Sequence, residues 1–390
     1  MSSSISVVFI SVFVPDYKVW FYRELDKLFP GRFYAVHGPE RKGTRPRDVG
    51  HLGIQNDIFA KNKFLVIRDV ELTWIPCLWW LLRKKPDVVI LQDGVRIISN
   101  YLVHMLSQVM GKKVVYYTHG HNHQAALTRS EQTKSVVEKI RQFMLRHSNA
   151  VIVYTNANAT YLKSHGVLTR TFVSNNTIDV PARLAAYSSI DPEQIREIRN
   201  GIGAQEDEQI IAFLGRLVPE KRVDIFVDVM RELNARQGTR YRGLIIGDGP
   251  LLGQLQDYAE DVPVFFAGHQ GGRDLAKYLA CAECVFLPTL VGLALVEAFC
   301  AGKPLITLEG QYHGPEIDYL TQGVNGLIIN SNDSKVIAVE LAKLLNDRES
   351  LKRMATAARR AASALDPKVS LQAFEAAINH ARNGNAKESV

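Results

Sequence analysis

A chain of 390 residues that is 46% hydrophobic and 22% charged has the composition of a soluble globular protein with apolar residues enough for two domains. Its longest apolar stretches, around ISVVFISVFVP and IPCLWWLL, are too short to span a bilayer and the first lacks signal-peptide anatomy, so a multi-span membrane protein is excluded and a cytosolic one expected. The net charge of +7 is uneven: residues 1–180 hold 24 Lys and Arg against 13 Asp and Glu, while the remainder is net −4, which points the first half toward an anionic partner such as phospholipid, lipid diphosphate or nucleic acid.

In chain order, SISVVFISVFV reads as a buried strand, followed by a loop at Pro15-Asp16-Tyr17 and a helix, VWFYRELDKLF, closed by Pro30-Gly31. RFYAVH and FLVIRD read as strands, WIPCLWWLLRKK as a helix, DVVILQ as a strand and IISNYLVHMLSQVM as a helix ended by Gly111. KVVYYT is a strand, SEQTKSVVEKIRQFMLRHS a helix by its apolar spacing, and AVIVYT a strand. This alternation predicts an α/β fold, a doubly wound parallel sheet over residues 1–180, with ligands expected at the carboxyl ends of its strands. Residues 181–208, polar and interrupted by Pro181 and Pro192, read as a linker region.

A second sheet begins at IIAFL and runs over residues 209–365. Helix EKRVDIFVDVMRELNARQ, strand GLIIG, turn Asp248-Gly249-Pro250, helix LLGQLQDYAE, strand VFFAG and helix DLAKYLACAE lead to the densest stretch, CVFLPTLVGLALVEAFCAGKPLITL. That stretch reads as buried strand, tight loop at Gly292, short helix, stop at Gly302 and Pro304, and next strand. The remainder is helical, with residues 366–390 expected to form a helix that crosses back to the first domain and then a disordered polar tail, NGNAKESV. Two sheets in series are expected to face one another across a cleft.

The candidate chemistry sits at the second sheet's strand ends. Gly215-Arg216 and Lys221 place a guanidinium and an ammonium a few residues apart beside a helix start, which suits a diphosphate. Gly268 allows close backbone approach, and the start of the helix after Gly292 offers free amides to an anion. Glu297, a carboxylate in an otherwise apolar helix, needs a partner: a ribose diol, or a base of the chain itself.

GRLVPEKRVD, IIGDGPLLGQL, VFFAGH, VGLALVEAFCAGKPLI and HGPEIDYLTQGVNGLI, in this order and spacing, resemble the donor-binding domain of the retaining family 4 glycosyltransferases of the GT-B fold. FVPDYKVWFYREL and YYTHGH resemble, more weakly, the family's acceptor-side loop and histidine-bearing strand end. The resemblance implies two Rossmann-like domains and a metal-independent enzyme. Its nucleoside diphosphate sugar is a co-substrate, and no further cofactor is implied. It gives Arg216 and Lys221 the donor diphosphate, the amides near Gly292 and Leu293 the distal phosphate, Glu297 the ribose hydroxyls, and the Gly268-His269 loop with Gly215 the surroundings of the nucleotide. His119 is placed near the transferred sugar and Pro15 and Tyr17 on the acceptor side.

The chain departs from the family at one position: eight residues before Glu297, where many members carry a second glutamate on the donor sugar, stands Thr289, in a shortened loop. Glu316, or the Thr289 hydroxyl, is a substitute. His119, His121 and His123 alternate as metal ligands can, but no carboxylate accompanies them, and no metal is expected. Cys281 and Cys284 have CxxC spacing without a second ligand pair and read as core packing. Trp74, Trp79 and Trp80 beside Arg83-Lys84-Lys85 suit either a membrane interface or a core helix with a solvated end.

The reading is a retaining glycosyltransferase of the hexosyltransferase type that moves a sugar to a lipid-linked saccharide or surface polysaccharide, in the cytoplasm or peripheral on the inner face of the membrane. The alternatives are a nucleotide-sugar epimerase on the same architecture and an idle sugar-nucleotide or polyanion binding module. Nucleic-acid binding is not expected, because the basic residues are dispersed and no reading motif appears.

Overall fold

The structure, a computed structural model, describes residues 5–39, 50–67, 70–120, 131–237 and 241–384. The chain divides into two compact units, residues 1–176 with 367–390, and residues 177–366.

In the first unit a seven-stranded parallel sheet is built from β1 (Val7–Ile10), β2 (Phe33–His37), β3 (Asp57–Phe59), β6 (Val88–Gln92), β7 (Lys113–Thr118), β8 (Ala150–Val153) and β9 (Thr171–Val173). Its order is β3-β2-β1-β6-β7-β8-β9. Strand side chains alternate between two cores, as a period of two dictates. Val7, Phe9, Val115 and Tyr117 pack with α1 (Val19–Leu28) and the C-terminal α14 (Pro367–Asn383). Val8, Ile10, Val114 and Tyr116 pack on the other face with α2 (Leu78–Lys84), α3 (Ile98–Val109), α4 (Glu131–Arg146) and α5 (Asn156–Ser164). The ring of Phe374 on α14 lies within 6 Å of Phe9, Phe21 and Tyr117, so this last helix completes the first core.

FLVIRD does not join the sheet. Its strand, β4 (Lys63–Ile67), pairs antiparallel with β5 (Val70–Trp74) as a separate hairpin. The following helix starts only at Leu78, because Pro76 lacks an amide and turns the preceding residue away from helical geometry.

The second unit holds β10 (Gln209–Leu214), β11 (Tyr241–Ile246), β12 (Val264–Gly268), β13 (Cys284–Phe286), β14 (Leu305–Leu308) and β15 (Gly326–Ile329), all parallel, in the order β12-β11-β10-β13-β14-β15. Its helices are α6 (Val180–Ser188), α7 (Pro192–Gly201), α8 (Val223–Gln237), α9 (Leu252–Tyr258), α10 (Gly272–Ala280), α11 (Ala294–Cys300), α12 (Ser334–Asn346) and α13 (Arg348–Ala364).

Residues 181–208 are therefore not a linker: most of the stretch is α6 and α7, packed on α10 and α11. The prolines that read as interruptions occupy first-turn positions, where a missing amide costs nothing. Asp179 caps α6, and Asp191 with Gln194 forms a capping box on α7. No helix among the described residues is long and apolar enough to cross a membrane. Most of the tail NGNAKESV lies outside the described residues.

Candidate active site

In the second sheet the strand order reverses between β10 and β13, and the loops leaving the carboxyl ends of those strands flank the crevice where open α/β sheets bind ligands. The loop after β10 is locked against its neighbour. Gly215 N–H donates to Ile246 O at 3.0 Å and Leu217 N–H to Asp248 O at 3.0 Å. A Cβ on Gly247 would fall 1.8 Å from Gly215 O, so only glycine fits there. Gly247 N–H in turn bonds Gly268 O at 2.8 Å, which ties in the end of β12.

Pro219–Lys221 form one 3-10 turn and Arg222 ends it at φ 46°. This turn sends the Lys221 ammonium to the carbonyl of Leu290, in the loop after β13. The Thr289 hydroxyl donates back to Glu220 O, so two bonds join the loops on either side of the switch point. The loop after β14 joins them: Leu290 N–H donates to Tyr312 O at 2.7 Å, Val291 N–H to His313 Nδ1 at 3.3 Å, and Gly314 N–H to Val291 O at 2.6 Å. His313 Nε2–H donates to Leu308 O at 3.1 Å. The ring is thus used as a neutral tautomer, in keeping with a pKa lowered by burial and by the nearby Lys221.

Lys221 is the most perturbed cation here. Burial lowers its pKa to about 8, opposed by the charge of Glu316. Glu316 is buried in the 3-10 turn Pro315–Tyr319, and its Oε2 lies 3.9 Å from where a Gly292 Cβ would stand. Gly215, Lys221, Leu290, Gly292 and Glu316 therefore share one place. α11 begins beside them with Leu293 as N-cap and no side-chain cap. Arg216 and His269 are exposed at the ends of β10 and β12.

Two of the candidate residues have partners within the chain. Glu297 finds its partner inside the chain: Oε1 accepts from the Tyr187 hydroxyl at 2.8 Å, and Oε2 meets Arg183 Nε at 3.1 Å, both on α6. The carboxylate thus needs no ribose to be satisfied, although burial still raises its pKa against the pull of both partners. Thr289 has committed its hydroxyl proton to Glu220 O, which leaves Glu316 as the carboxylate near Gly292. His313 was not singled out from the sequence, although HGPE contained it; Arg183 and Tyr187 gave no signal at all.

In the first unit, the turn holding Pro15 and Tyr17 follows β1, with Tyr17 exposed and Lys18 Nζ donating to Asn176 Oδ1 at 2.7 Å. His119 follows β7 at the same edge of the sheet, its ring 4.2 Å from that of Tyr154. Buried Arg141 holds this strand end: it donates to Asp93 at 2.9 Å, to Thr118 Oγ1 at 3.2 Å and to Gly120 O, and pairs with Glu138. His121 and His123 lie outside the described residues. Among the described residues no group of three or more His, Cys, Asp or Glu side chains is gathered as a metal site requires. All four cysteines are free and buried, and burial raises the Cys281 and Cys284 thiol pKa values, as packing residues would show.

The profile described as "Glycosyl transferases group 1" matches residues 194–361, and that described as "Glycosyltransferase Family 4" matches residues 33–181. A D-inositol 3-phosphate glycosyltransferase of Nocardia farcinica is 29% identical over 45% of this chain, and a GDP-mannose-dependent alpha-mannosyltransferase of Corynebacterium glutamicum 31% identical over 39%. The matches span only 42% and 35% of those relatives' own lengths. The crystal structure of Anabaena HepE in complex with UDP shares the fold at a TM-score of 0.70 and 17% identity, over 96% of this chain and 100% of that one. With both units matched by family profiles and the fold shared throughout, the chain belongs to the family 4 glycosyltransferases of the GT-B fold.

Proposed function

We propose that the protein is a retaining, metal-independent glycosyltransferase of the hexosyltransferase type, which moves a sugar from a nucleoside diphosphate donor to a lipid-linked saccharide or surface polysaccharide. The observation that carries this is the bond from Lys221 to Leu290 across the switch point: it draws a half-buried cation, Gly292 and Glu316 together at the strand ends. Departure of a nucleoside diphosphate builds negative charge, and a preorganised ammonium in a water-poor site offsets that charge without reorganisation. Lys221 is assigned this role together with Arg216. The Gly292 and Leu293 amides are assigned the distal phosphate, Gly268 and His269 the base, and Glu316 the donor sugar in place of the glutamate that Thr289 replaces. Attack on the face vacated by the leaving group would retain configuration.

His119 and the Pro15–Tyr17 turn are assigned to the acceptor side, and the basic first half to the inner surface of a membrane. D-inositol 3-phosphate and the GDP-mannose donor in the names of two relatives, and UDP in HepE, favour this reading. The test is release of free nucleoside diphosphate from a panel of nucleoside diphosphate sugars, with and without lipid extract. Release that needs the extract and falls at least tenfold in Lys221→Ala supports the proposal. Donor converted to a new sugar without acceptor would make the protein an epimerase, and binding without turnover an idle module.

A further inference from the structure

α3 is built inside out. Its buried residues include Ser99, Asn100, His104 and Ser107, whereas Leu102, Met105 and Val109 form a line on its outer side, Met105 62% and Val109 86% exposed. A helix facing water has the opposite arrangement. Nor is the register accidental, because the inner groups are held. Asn100 donates to Gln92 O at 2.8 Å, Ser99 Oγ accepts from Ile75 N–H at 3.2 Å, and His104 lies between Tyr116 and Gln108.

The neighbouring helices extend the apolar line. α2 packs beside α3, and Gln108 at the end of α3 donates to His147 O at the end of α4 at 2.8 Å. α2 presents Trp79, 69% exposed, and Leu82; α4 presents Phe143, 57% exposed. Around these stand exposed Arg83, Lys84, Lys85, Lys139 and Arg146, with Arg83 over the Trp79 ring at 5.3 Å. α2 and α3 contain no Asp or Glu. Among the described residues the acids closest in sequence are all engaged, Asp87 by Ser6 with Lys112, and Asp93 and Glu138 by Arg141.

We infer that the outer face of α2, α3 and α4 docks on an anionic lipid bilayer, with Trp79 and the aliphatic line at headgroup depth and the cations on lipid phosphates. Charge selects this occupant. A second copy set face to face would oppose one basic rim to another, whereas an anionic surface complements it. The inference rests on the assignment of the basic first half to a membrane and names the surface responsible.

The full chain is sedimented with vesicles of phosphatidylcholine, with and without phosphatidylglycerol, at low and high salt. The expected result is pelleting on the anionic vesicles only, released by salt. Arg83→Gln and Lys139→Gln should each lower the partition coefficient roughly fivefold. Trp79→Ser with Met105→Ser should lower it about tenfold or more. All four positions are exposed, so the melting temperature and nucleotide binding should not change. Protein left in the supernatant at low salt overturns the inference, as does pelleting unaffected by these substitutions. A concentration-dependent dimer that Met105→Ser dissociates would make this a self-association face instead. Because pelleting and sugar transfer are read separately, a protein that binds vesicles but consumes no donor loses the transferase reading and keeps this one.

Discussion

The Lys221 ammonium is held by the carbonyl of Leu290, a leucine at φ 47°, so a residue in left-handed geometry fixes the cation at the strand-order reversal. Holding a non-glycine residue there costs about 1–2 kcal/mol, and the bonds from Leu290 and Val291 to Tyr312 and His313 offset that cost. The site's positive charge is therefore placed before any ligand arrives, and its protonation becomes the variable that matters.

With a pKa lowered to about 8 by burial, Lys221 is charged below that pH and loses its proton above it. An incoming diphosphate favours the ammonium, so binding at pH 8 should take up a fraction of a proton, and affinity should fall as pH rises beyond 8. Calorimetry in buffers of different ionisation enthalpy reads the uptake directly. Glu316 raises this pKa, so Glu316→Gln should move the pH profile to lower values, and Lys221→Arg should flatten it. An affinity indifferent to pH between 7 and 9 in the unmodified protein would remove Lys221 from the diphosphate. For stability the sign is opposite. The unfolded lysine holds its proton up to the ordinary value of 10.5 and the folded one does not, so this group's contribution rises with pH between about 8 and 10.5.

Two glycines at the strand ends should behave differently. A methyl on Gly292 would meet only Glu316 Oε2 at 3.9 Å, so Gly292→Ala should fold with a stability within ~1 kcal/mol of the parent. Its methyl would stand where a phosphate is proposed to approach, so nucleotide affinity should fall roughly tenfold or more. On Gly247 the same methyl would collide with Gly215 O, and Gly247→Ala should lose about 2–3 kcal/mol in urea denaturation before any ligand is considered. Equal effects of both substitutions on stability would contradict the geometry.

The second sheet was legible because parallel strands covered on both faces read as unbroken apolar runs, as IIAFL and CVFLP do, with glycines where they stop. Arg216, Lys221 and Gly292 followed from their places at those stops. The partners of Glu297 did not, since Tyr187 precedes it by 110 residues and lies in a stretch whose prolines looked like breaks. Nor could periodicity show which side of α3 faces inward: its apolar line is real, but the polar side is the one buried.

In the first unit Arg141 binds two carboxylates and a carbonyl beside His119 while itself buried. Arg141→Met would leave Asp93 and Glu138 without their cation in a region with little water. The expected cost is ~3–5 kcal/mol of stability. Nucleotide affinity, which is proposed to reside in the second unit, should be retained in the folded fraction. Loss of transfer to acceptor at unchanged nucleotide affinity would identify Arg141 as the group that positions the His119 strand end, and equal loss of both would count against that role.

Glu297 permits a test that separates burial from ligand binding. Its pKa is raised because burial outweighs Arg183 and Tyr187, so the folded state holds this proton to higher pH than the unfolded chain does. Its contribution is then greatest below the ordinary glutamate range and declines as pH rises through the raised pKa. Glu297→Gln keeps the shape but leaves the partly exposed Arg183 without its carboxylate, so it should cost about 1–3 kcal/mol and should flatten that decline. Tyr187→Phe removes one donor from the buried carboxyl and should cost about 1–3 kcal/mol without flattening the decline. If Glu297 also reads ribose, Glu297→Gln weakens binding of a nucleoside diphosphate but not of its 2′-deoxy and 3′-deoxy forms. An unchanged ratio between these ligands would leave the carboxylate as the anchor of α11 on α6, and the ribose contact would have to come from another residue.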